Sequence, residues 1–431
     1  MQRFLVAFVT SYAYNGDMPN IQNIASMVAG AEARHLMVEA GRCVEVRHRM
    51  AQCGACMETC PEDAIQVKDN HITVIPELCR GCGSCASECP TQALHMVQPS
   101  EADLLAFVDT AADELFAGEL DHEPVLEFSC EHAPASSADV RIVVPALPYV
   151  DEAVLLHAAA NGFDSIALTC CGDDGCLNPT LAAMPDILAT ARTLLEACGS
   201  SCKIVLRKQK PRPQEEGQKE RRGRASEPRG GESQQTTMTA GNMMYGNRDY
   251  SRRGMISDMA SQAKTIVAET AAAELRDRLG QQEAEPTLIQ TLTDGKGNML
   301  KFAMPRAESV LNDLYVMNPE PAGAINVRGF ARVEVNAAAC TCCGMCARFC
   351  PTGALECEER PIGNSYGSTW HSLADPWAQA ANQEGGALSF RISDCVGCHL
   401  CETACPLHCL HVNDEVDAST IFDLEPADLL Q

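Results

Sequence analysis

The sequence predicts a multidomain chain of α+β and α/β parts, in which two small cysteine-rich α+β units flank a parallel-sheet α/β domain. Three observations carry that prediction. A Cys-Pro segment recurs four times, twice in each half: Cys60-Pro61-Glu62-Asp63-Ala64-Ile65, Cys89-Pro90-Thr91-Gln92-Ala93-Leu94, Cys350-Pro351-Thr352-Gly353-Ala354-Leu355 and Cys405-Pro406-Leu407-His408-Cys409-Leu410, an internal repeat. Between the halves, apolar stretches at 125–128, 141–144, 165–168 and 203–206 alternate with helical patterns at 151–161 and 179–196, the rhythm of a parallel sheet with crossover helices. Residues 207–255 are rich in Gln, Gly, Arg, Pro and Ser and poor in aliphatic side chains, the composition of a linker.

These shifts divide the chain into an N-terminal segment (1–39), a first cysteine unit (40–100), the α/β domain (101–206), a flexible basic linker (207–255), a helical and connecting segment (256–327), a second cysteine unit (328–413) and an acidic tail (414–431). Short β-like stretches at 71–75, 332–335 and 390–392 each lead into the next cysteine run. Good helix formers run from about 256 to 279.

The chain has 431 residues, 25 of them cysteine, and a formal charge of −25 from 33 basic and 58 acidic side chains. A chain this long needs no disulfides to make up for a small core. The acidic balance argues against nucleic-acid binding as the role of the whole chain, because phosphate contacts need positive surface. The linker runs the other way, with 13 basic and 6 acidic residues over 203–253. Its Arg221-Arg222-Gly223-Arg224 reads as a solvated tether, the other reading being a grip on nucleic acid or an anionic surface, including an acidic patch of this protein. No apolar run approaches the ~18 residues of a membrane span, which leaves open an association with a membrane complex. Phe4-Leu5-Val6-Ala7-Phe8-Val9 reads as a buried first strand and not an export signal, since it is short, lacks a small-residue cleavage site and runs into an Asn/Asp/Pro loop at 15–20. Those features point to the cytoplasm, where thiols stay reduced.

The chemistry lies in the cysteine spacing. Cys79-x2-Cys82-x2-Cys85-x3-Cys89-Pro90, Cys340-x2-Cys343-x2-Cys346-x3-Cys350-Pro351 and Cys395-x2-Cys398-x2-Cys401-x3-Cys405-Pro406 are complete runs. Cysteines this close in a tight loop wrap three thiolates around one cube of iron and sulfide. The fourth stands beyond the loop, and the proline after it forces its backbone out of the helical region, so that it can ligate a neighbouring cube. The first run departs from the pattern: Cys53-x2-Cys56-x3-Cys60-Pro61 has Met50 where the leading cysteine belongs. A thioether is a poor ligand for such a cube. Cys43 is the natural substitute if a small loop brings it back; the alternatives are a three-iron cluster and an unrelated buried cysteine. Structural zinc also takes four cysteines, but usually as two spaced pairs. Cys395-Val396-Gly397-Cys398-His399 fits the haem-attachment pattern, yet both its cysteines already belong to a complete run. Cys342, Cys357 and Cys409 read as small apolar packing around the cubes.

Both cysteine units resemble bacterial-type double [4Fe–4S] ferredoxin domains. The resemblance implies two ferredoxin-like dicluster domains, each with two cubes within electron-tunnelling reach. On the crossed ligation of that family, Cys43, Cys53, Cys56 and Cys89 hold one cluster, and Cys79, Cys82, Cys85 and Cys60 the second. Cys340, Cys343, Cys346 and Cys405 hold the third, and Cys395, Cys398, Cys401 and Cys350 the fourth. The implied cofactors are four [4Fe–4S] clusters, with no catalytic residue.

The central segment carries Cys130 and then Cys170-Cys171-Gly172-Asp173-Asp174-Gly175-Cys176 at a strand end, where α/β sheets place their ligands. Through Asn161-Gly162-Phe163-Asp164-Ser165-Ile166-Ala167-Leu168, running into Cys171 and Cys176, it resembles the delta subunit of methyl-viologen-reducing hydrogenase, a small [2Fe–2S] electron-transfer domain. Two cysteines of that family are absent, with Ala133 and Ala146 in their places, so the likeness supports the fold more than the cluster. Cys130, Cys170, Cys171 and Cys176 are candidate ligands of one additional iron–sulfur cluster; a degenerate docking domain is the other reading. Cys130-x39-Cys170-Cys171-Gly172 is also similar to the cysteine-rich motif of heterodisulfide reductase catalytic subunits. That motif needs a later Cys-x2-Cys, whereas Cys198-x3-Cys202 comes too early and suits a capped helix end and the next strand. Asp173 and Asp174 are most simply turn residues.

These resemblances together imply an iron–sulfur, polyferredoxin-like subunit that relays single electrons through four [4Fe–4S] clusters within a larger oxidoreductase complex. Its partners would be redox proteins: dehydrogenase, hydrogenase or reductase subunits. The alternatives are a redox accessory protein for a dehydrogenase such as formate dehydrogenase, or a thiol/disulfide reductase subunit using the central cysteines.

Overall fold

A computed structural model describes residues 35–118, 120–134, 136–172, 176–178, 181–208, 236–239, 287–294, 298–357 and 387–430. The expected first strand at 4–9, the helix over 256–279 and Asp173 and Asp174 lie outside these residues, as does most of the linker.

In the first cysteine unit, alternating apolar residues build a hairpin of β2 (Ile65–Lys68) and β3 (His71–Val74), with Ile65 and Ile72 buried. Asp69 and Asn70 both take positive φ in the two-residue turn, which suits the twist of a tight hairpin. β1 (Leu36–Val38) pairs antiparallel with β4 (Leu94–Met96), so the unit begins a few residues before the expected 40. Three one-turn helices, α1 (Val44–Arg47), α2 (Ala55–Glu58) and α3 (Ser84–Glu88), carry or adjoin the cysteines.

The α/β domain opens with α4 (Glu101–Leu115), held at its start by a capping box between Ser100 and Asp103. Five parallel strands follow: β5 (Val125–Cys130), β6 (Val140–Val144), β7 (Ser165–Cys170), β8 (Lys203–Lys208) and β9 (Thr236–Thr239), in the order β8-β7-β5-β6-β9. The last is a correction to the linker assignment: Thr236-Thr237-Met238-Thr239, β-branched at three of four positions, adds an edge strand to β6. Helices α5 (Glu152–Ala160) and α6 (Met184–Ala197) make the crossovers. Because β6 and β7 lie on opposite sides of β5, the winding reverses there, and Cys130 and Cys170 end the two strands that bound this switch point. Glu127 is fully buried in β5, where it accepts from Thr169 Oγ1 at 2.6 Å and faces Arg141 at 3.6 Å.

Helix α7 (Leu288–Leu292) and α8 (Pro305–Met317) lead to β10 (Ala324–Asn326). The second unit repeats the plan of the first: β11 (Arg332–Val335) pairs with β14 (Leu410–Asn413), and β12 (Leu355–Cys357) with β13 (Leu388–Phe390), around α9 (Met345–Phe349) and α10 (Leu400–Ala404). The acidic tail is not a separate tail. β15 (Glu415–Asp417) pairs with β10, burying Val416 between exposed acids, and β16 (Ala427–Asp428) extends β13.

The two cysteine units, far apart in sequence, pack against each other. Arg47 is 3% exposed and donates to the carbonyls of Gly41 at 2.9 Å, Leu300 at 3.0 Å and Phe349 at 3.0 Å. Helix α8 clamps the first unit to the α/β domain. Its Arg306 donates to the Ala86 and Ser87 carbonyls at 2.8 and 3.0 Å and pairs with Asp151 at 2.7 Å and Glu101 at 3.3 Å. Farther along, His157 of α5 bridges Asp313 of α8 at 3.1 Å and Asp109 of α4 at 2.9 Å. Burial lowers the His157 pKa, but the hydrogen bond and charge of Asp313 and the charge of Asp109 outweigh it, and the net shift is upward.

Arg47→Ala is expected to cost about 3 kcal/mol in denaturant unfolding, because buried carbonyls lose a charged donor. Arg47→Lys should fail to restore it, as one ammonium cannot reproduce the guanidinium fork. The raised His157 pKa gives stability that is fully present below its unfolded value of ~6.5 and lost as pH rises through the higher folded value. His157→Gln should therefore cost about 1–2 kcal/mol at pH ~6 and less at pH ~8; equal losses in melts at the two pH values would show that the charge plays no part.

Candidate iron–sulfur sites

Each complete run uses the same backbone device. Two residues after its first cysteine, and again four after, the chain turns left-handed: Gly81 and Gly83, Cys342 and Gly344, Gly397 and His399 all have positive φ. These turns curl the loop so that three thiols face one centre. The third cysteine sits on a one-turn helix, Cys85 on α3, Cys346 on α9 and Cys401 on α10, which then stops at the Cys-Pro step. Cys89, Cys350 and Cys405 have ψ of 112°, 122° and 111°, the extended backbone required before proline. The chain turns left-handed once more three residues on, at Asp63, Gln92, Gly353 and His408. In the first unit this swings the Ala64 and Ala93 amides back to donate to the Cys60 and Cys89 sulfurs, at 3.3 and 3.1 Å.

The thiols gather in four sets. In site I, burial raises Cys43 to about 11 and Cys56 to about 12; the thiols of Cys89 and Cys53 add to the first shift, and those of Cys89, Cys43 and Cys53 to the second. Met50, by contrast, is 59% exposed. In site II, burial pushes Cys85 well above its ordinary value, with Cys82, Cys79 and Cys60 adding to it. Cys60, Cys79, Cys82 and Cys85 line a hollow of about 370 Å³. In site III, burial raises Cys346 to about 12, with Cys343, Cys340 and Cys405 around it, and these four line a hollow of about 330 Å³. In site IV, burial raises Cys395 to about 12 and Cys401 well above its ordinary value, beside Cys350 and Cys398. Thus the structure brings together each of the four quartets expected from the sequence, including Cys43 beside Cys53, Cys56 and Cys89. Buried four-thiol groups with amide donors to sulfur, two of them lining hollows, have the donor chemistry of iron–sulfur cubes.

The sites also adjoin one another. Cys56 of site I bears electrostatically on Cys85 of site II, and Cys346 of site III on Cys401 of site IV. Between the units, Cys53 of site I and Cys398 of site IV pack against one small cluster of Val44, Ala51 and Leu400. His48 meets Phe349 edge-on at 4.8 Å beside them. Sequence reasoning missed this junction. Around site III, Cys342 Sγ lies 3.4 Å from Cys357 Sγ, and Cys409 Sγ 3.5 Å from Cys405 Sγ. Cys409 occupies the place held by Ala64, Ala93 and Ala354 in the other repeats.

In the α/β domain Cys130, Cys170, Cys171 and Cys176 come together, all buried, with their sulfurs within 4.8 Å of one another. The Cys171 amide donates to Cys130 Sγ at 3.3 Å and the Gly172 amide to Cys170 Sγ at 3.4 Å. A hydrogen bond from Cys130 lowers the Cys170 pKa, and burial raises that of Cys176. Asn178 then reaches the first unit, donating to Ser84 Oγ at 2.6 Å and lying 4.0 Å from Cys82 Sγ of site II. Cys198 caps α6 and sits 3.9 Å from the Leu314 carbonyl, a structural position outside this group.

The family model of a 4Fe-4S dicluster domain matches residues 51–93, and that of a 4Fe-4S binding domain matches residues 392–413. No curated protein and no solved structure matches the chain. Among the described residues no helix is long and apolar enough to cross a membrane. The chain carries 4Fe–4S ferredoxin-type domains at both ends of its sequence, with a parallel sheet between them.

Proposed function

We propose that the protein is an electron-transfer subunit that relays single electrons through four [4Fe–4S] clusters, one at each of sites I to IV, within a larger oxidoreductase assembly. The observation that carries this reading is the contact of Cys53 with the cluster that also holds Cys398. With the Cys56–Cys85 and Cys346–Cys401 neighbours it makes one line, II–I–IV–III, out of two separate pairs. Bound clusters supply a reversible one-electron change of valence.

The chain's own groups do the rest. Amides donated to Cys60 and Cys89 favour the more negatively charged state. Arg47 lies between sites I and IV and feels the charges of Cys350 and Cys398, which eases the passage of negative charge across the junction. Sites II and III, the ends of the line, each border a hollow, which supports docking of one redox partner at each end. A net charge of −25 would steer basic partners toward the chain. The similarity of the central segment to a hydrogenase delta subunit supports a docking role for the α/β domain beside site II.

Anaerobically prepared protein should hold about 16 irons in cubes per chain; a value near 8 would mean that only one unit is loaded and would overturn the four-site relay. Cys43→Ala should remove the resonance of one cluster and about 4 irons. An unchanged spectrum would strike Cys43 from the ligands.

A further inference from the structure

The central quartet has a different shape from the four sites of the line. Among the described residues, no other group of three or more cysteine, histidine or carboxylate ligand atoms gathers within 4.8 Å. In a cube each thiolate sits on its own iron, and in a two-iron cluster the thiolates form two pairs at opposite ends. Either arrangement spreads some of the sulfurs well beyond the separation found around one ion. Four thiolates at ~2.3 Å from a single tetrahedral ion stand ~3.8 Å apart. Cys170 and Cys176 are 3.7 Å apart, and every other pair in the quartet is within 4.8 Å.

We infer that Cys130, Cys170, Cys171 and Cys176 bind one mononuclear tetrahedral metal ion, zinc or iron, in place of the additional iron–sulfur cluster that the sequence suggested. All four thiols are 2% exposed or less, so the site is closed, as structural thiolate sites are. Two amides already aim at its sulfurs, and such donors fix ligand orientation. The ion would tie the ends of β5 and β7 to the turn at 176–178. That turn presents Asn178, whose amide donates to the Cys176 sulfur and whose side chain meets Ser84 and Cys82 of site II. The ion thus braces the wall of the α/β domain against one end of the line. The metal claim stands without the relay reading; only the effect on site II rests on it.

The test is elemental analysis of zinc, iron and acid-labile sulfide on the full chain, purified under argon. Iron–sulfur cubes and two-iron clusters hold metal and sulfide in equal number, so their loading cancels in the difference. Wild-type protein should show metal exceeding sulfide by about one atom per chain. The Cys171→Ser, Cys176→Ser double variant should lose that excess and keep its sulfide. Zinc in the excess identifies a redox-silent brace; iron, with the high-spin resonance of an isolated tetrahedral ferric ion, identifies a redox centre. A wild-type excess of zero, or loss of sulfide together with metal in a variant that keeps its fold, would overturn the single-ion site. The wild-type difference decides the question even where the variant fails to fold. A shortfall of total cluster iron with the excess intact would count against the relay alone.

Discussion

Everything in the two cysteine units depends on one backbone constraint: a cysteine followed by proline cannot continue a helix. Each one-turn helix that delivers a third thiol must end at the next cysteine, whose extended backbone carries its sulfur out of the loop it follows. The fourth thiol therefore lands in the neighbouring quartet. Cys89 joins Cys43, Cys53 and Cys56, and Cys405 joins Cys340, Cys343 and Cys346. Crossing in this way makes each pair of sites a single folding unit, since neither quartet is complete until both repeats are in place. The left-handed turn three residues past each of these cysteines is part of the same device, because it returns the chain to the strand that closes the unit.

A second constraint joins the units. Arg47 closes the short helix α1 between Cys43 and Cys53, and its guanidinium ends on carbonyls from the other half of the chain. A buried guanidinium needs several acceptors to offset its lost hydration, and the carbonyls at the end of α9 are turned toward it. Lys301 serves the same helix end, donating to the Ala347 and Cys350 carbonyls at 2.5 and 2.6 Å. Cations at a helix C-terminus are favourable there. The same contacts bring Cys53 and Cys398 to one apolar cluster, so the charge that stabilises the junction also lies where negative charge would pass.

How much of this was legible follows from what each feature depends on. The quartets are local in origin: spacing and the proline decide them, and the sequence displays both. Cys43 was legible only by elimination, since nothing local shows the loop that brings it back; the exposure of Met50 is the structural counterpart. The central strands β5, β6 and β7 were readable because they are buried along most of their length and are mostly apolar, Glu127 and Arg141 being the charged interruptions. The Arg47 junction was not, because it pairs residues about three hundred positions apart through main-chain carbonyls, which every residue possesses. β9 was hidden by the polar composition around Thr236–Thr239, and β15 by having one apolar residue between two acids. Cys342 looked like a spare thiol, whereas its left-handed backbone puts it in the loop position that Gly81 and Gly397 hold in the other runs.

Hydrogen bonding and burial tie the α/β domain to site II. Its quartet ends two adjacent strands at the point where the sheet reverses its winding, a position that the fold keeps rigid from below through the buried Glu127 and its partners Thr169 and Arg141. From there one short turn reaches site II through Asn178. Farther along the same one-turn helix, Arg306 secures the helix of Cys85 to Asp151 and Glu101. Site II is thus held by both the α/β domain and α8, while site III is lined by its own loop, by Leu388 of β13 and by the segment that follows Cys405. Site II draws support from two other parts of the chain, whereas the lining of site III comes from within its own unit; on the proposed relay, that asymmetry would make the two ends unequal docking surfaces.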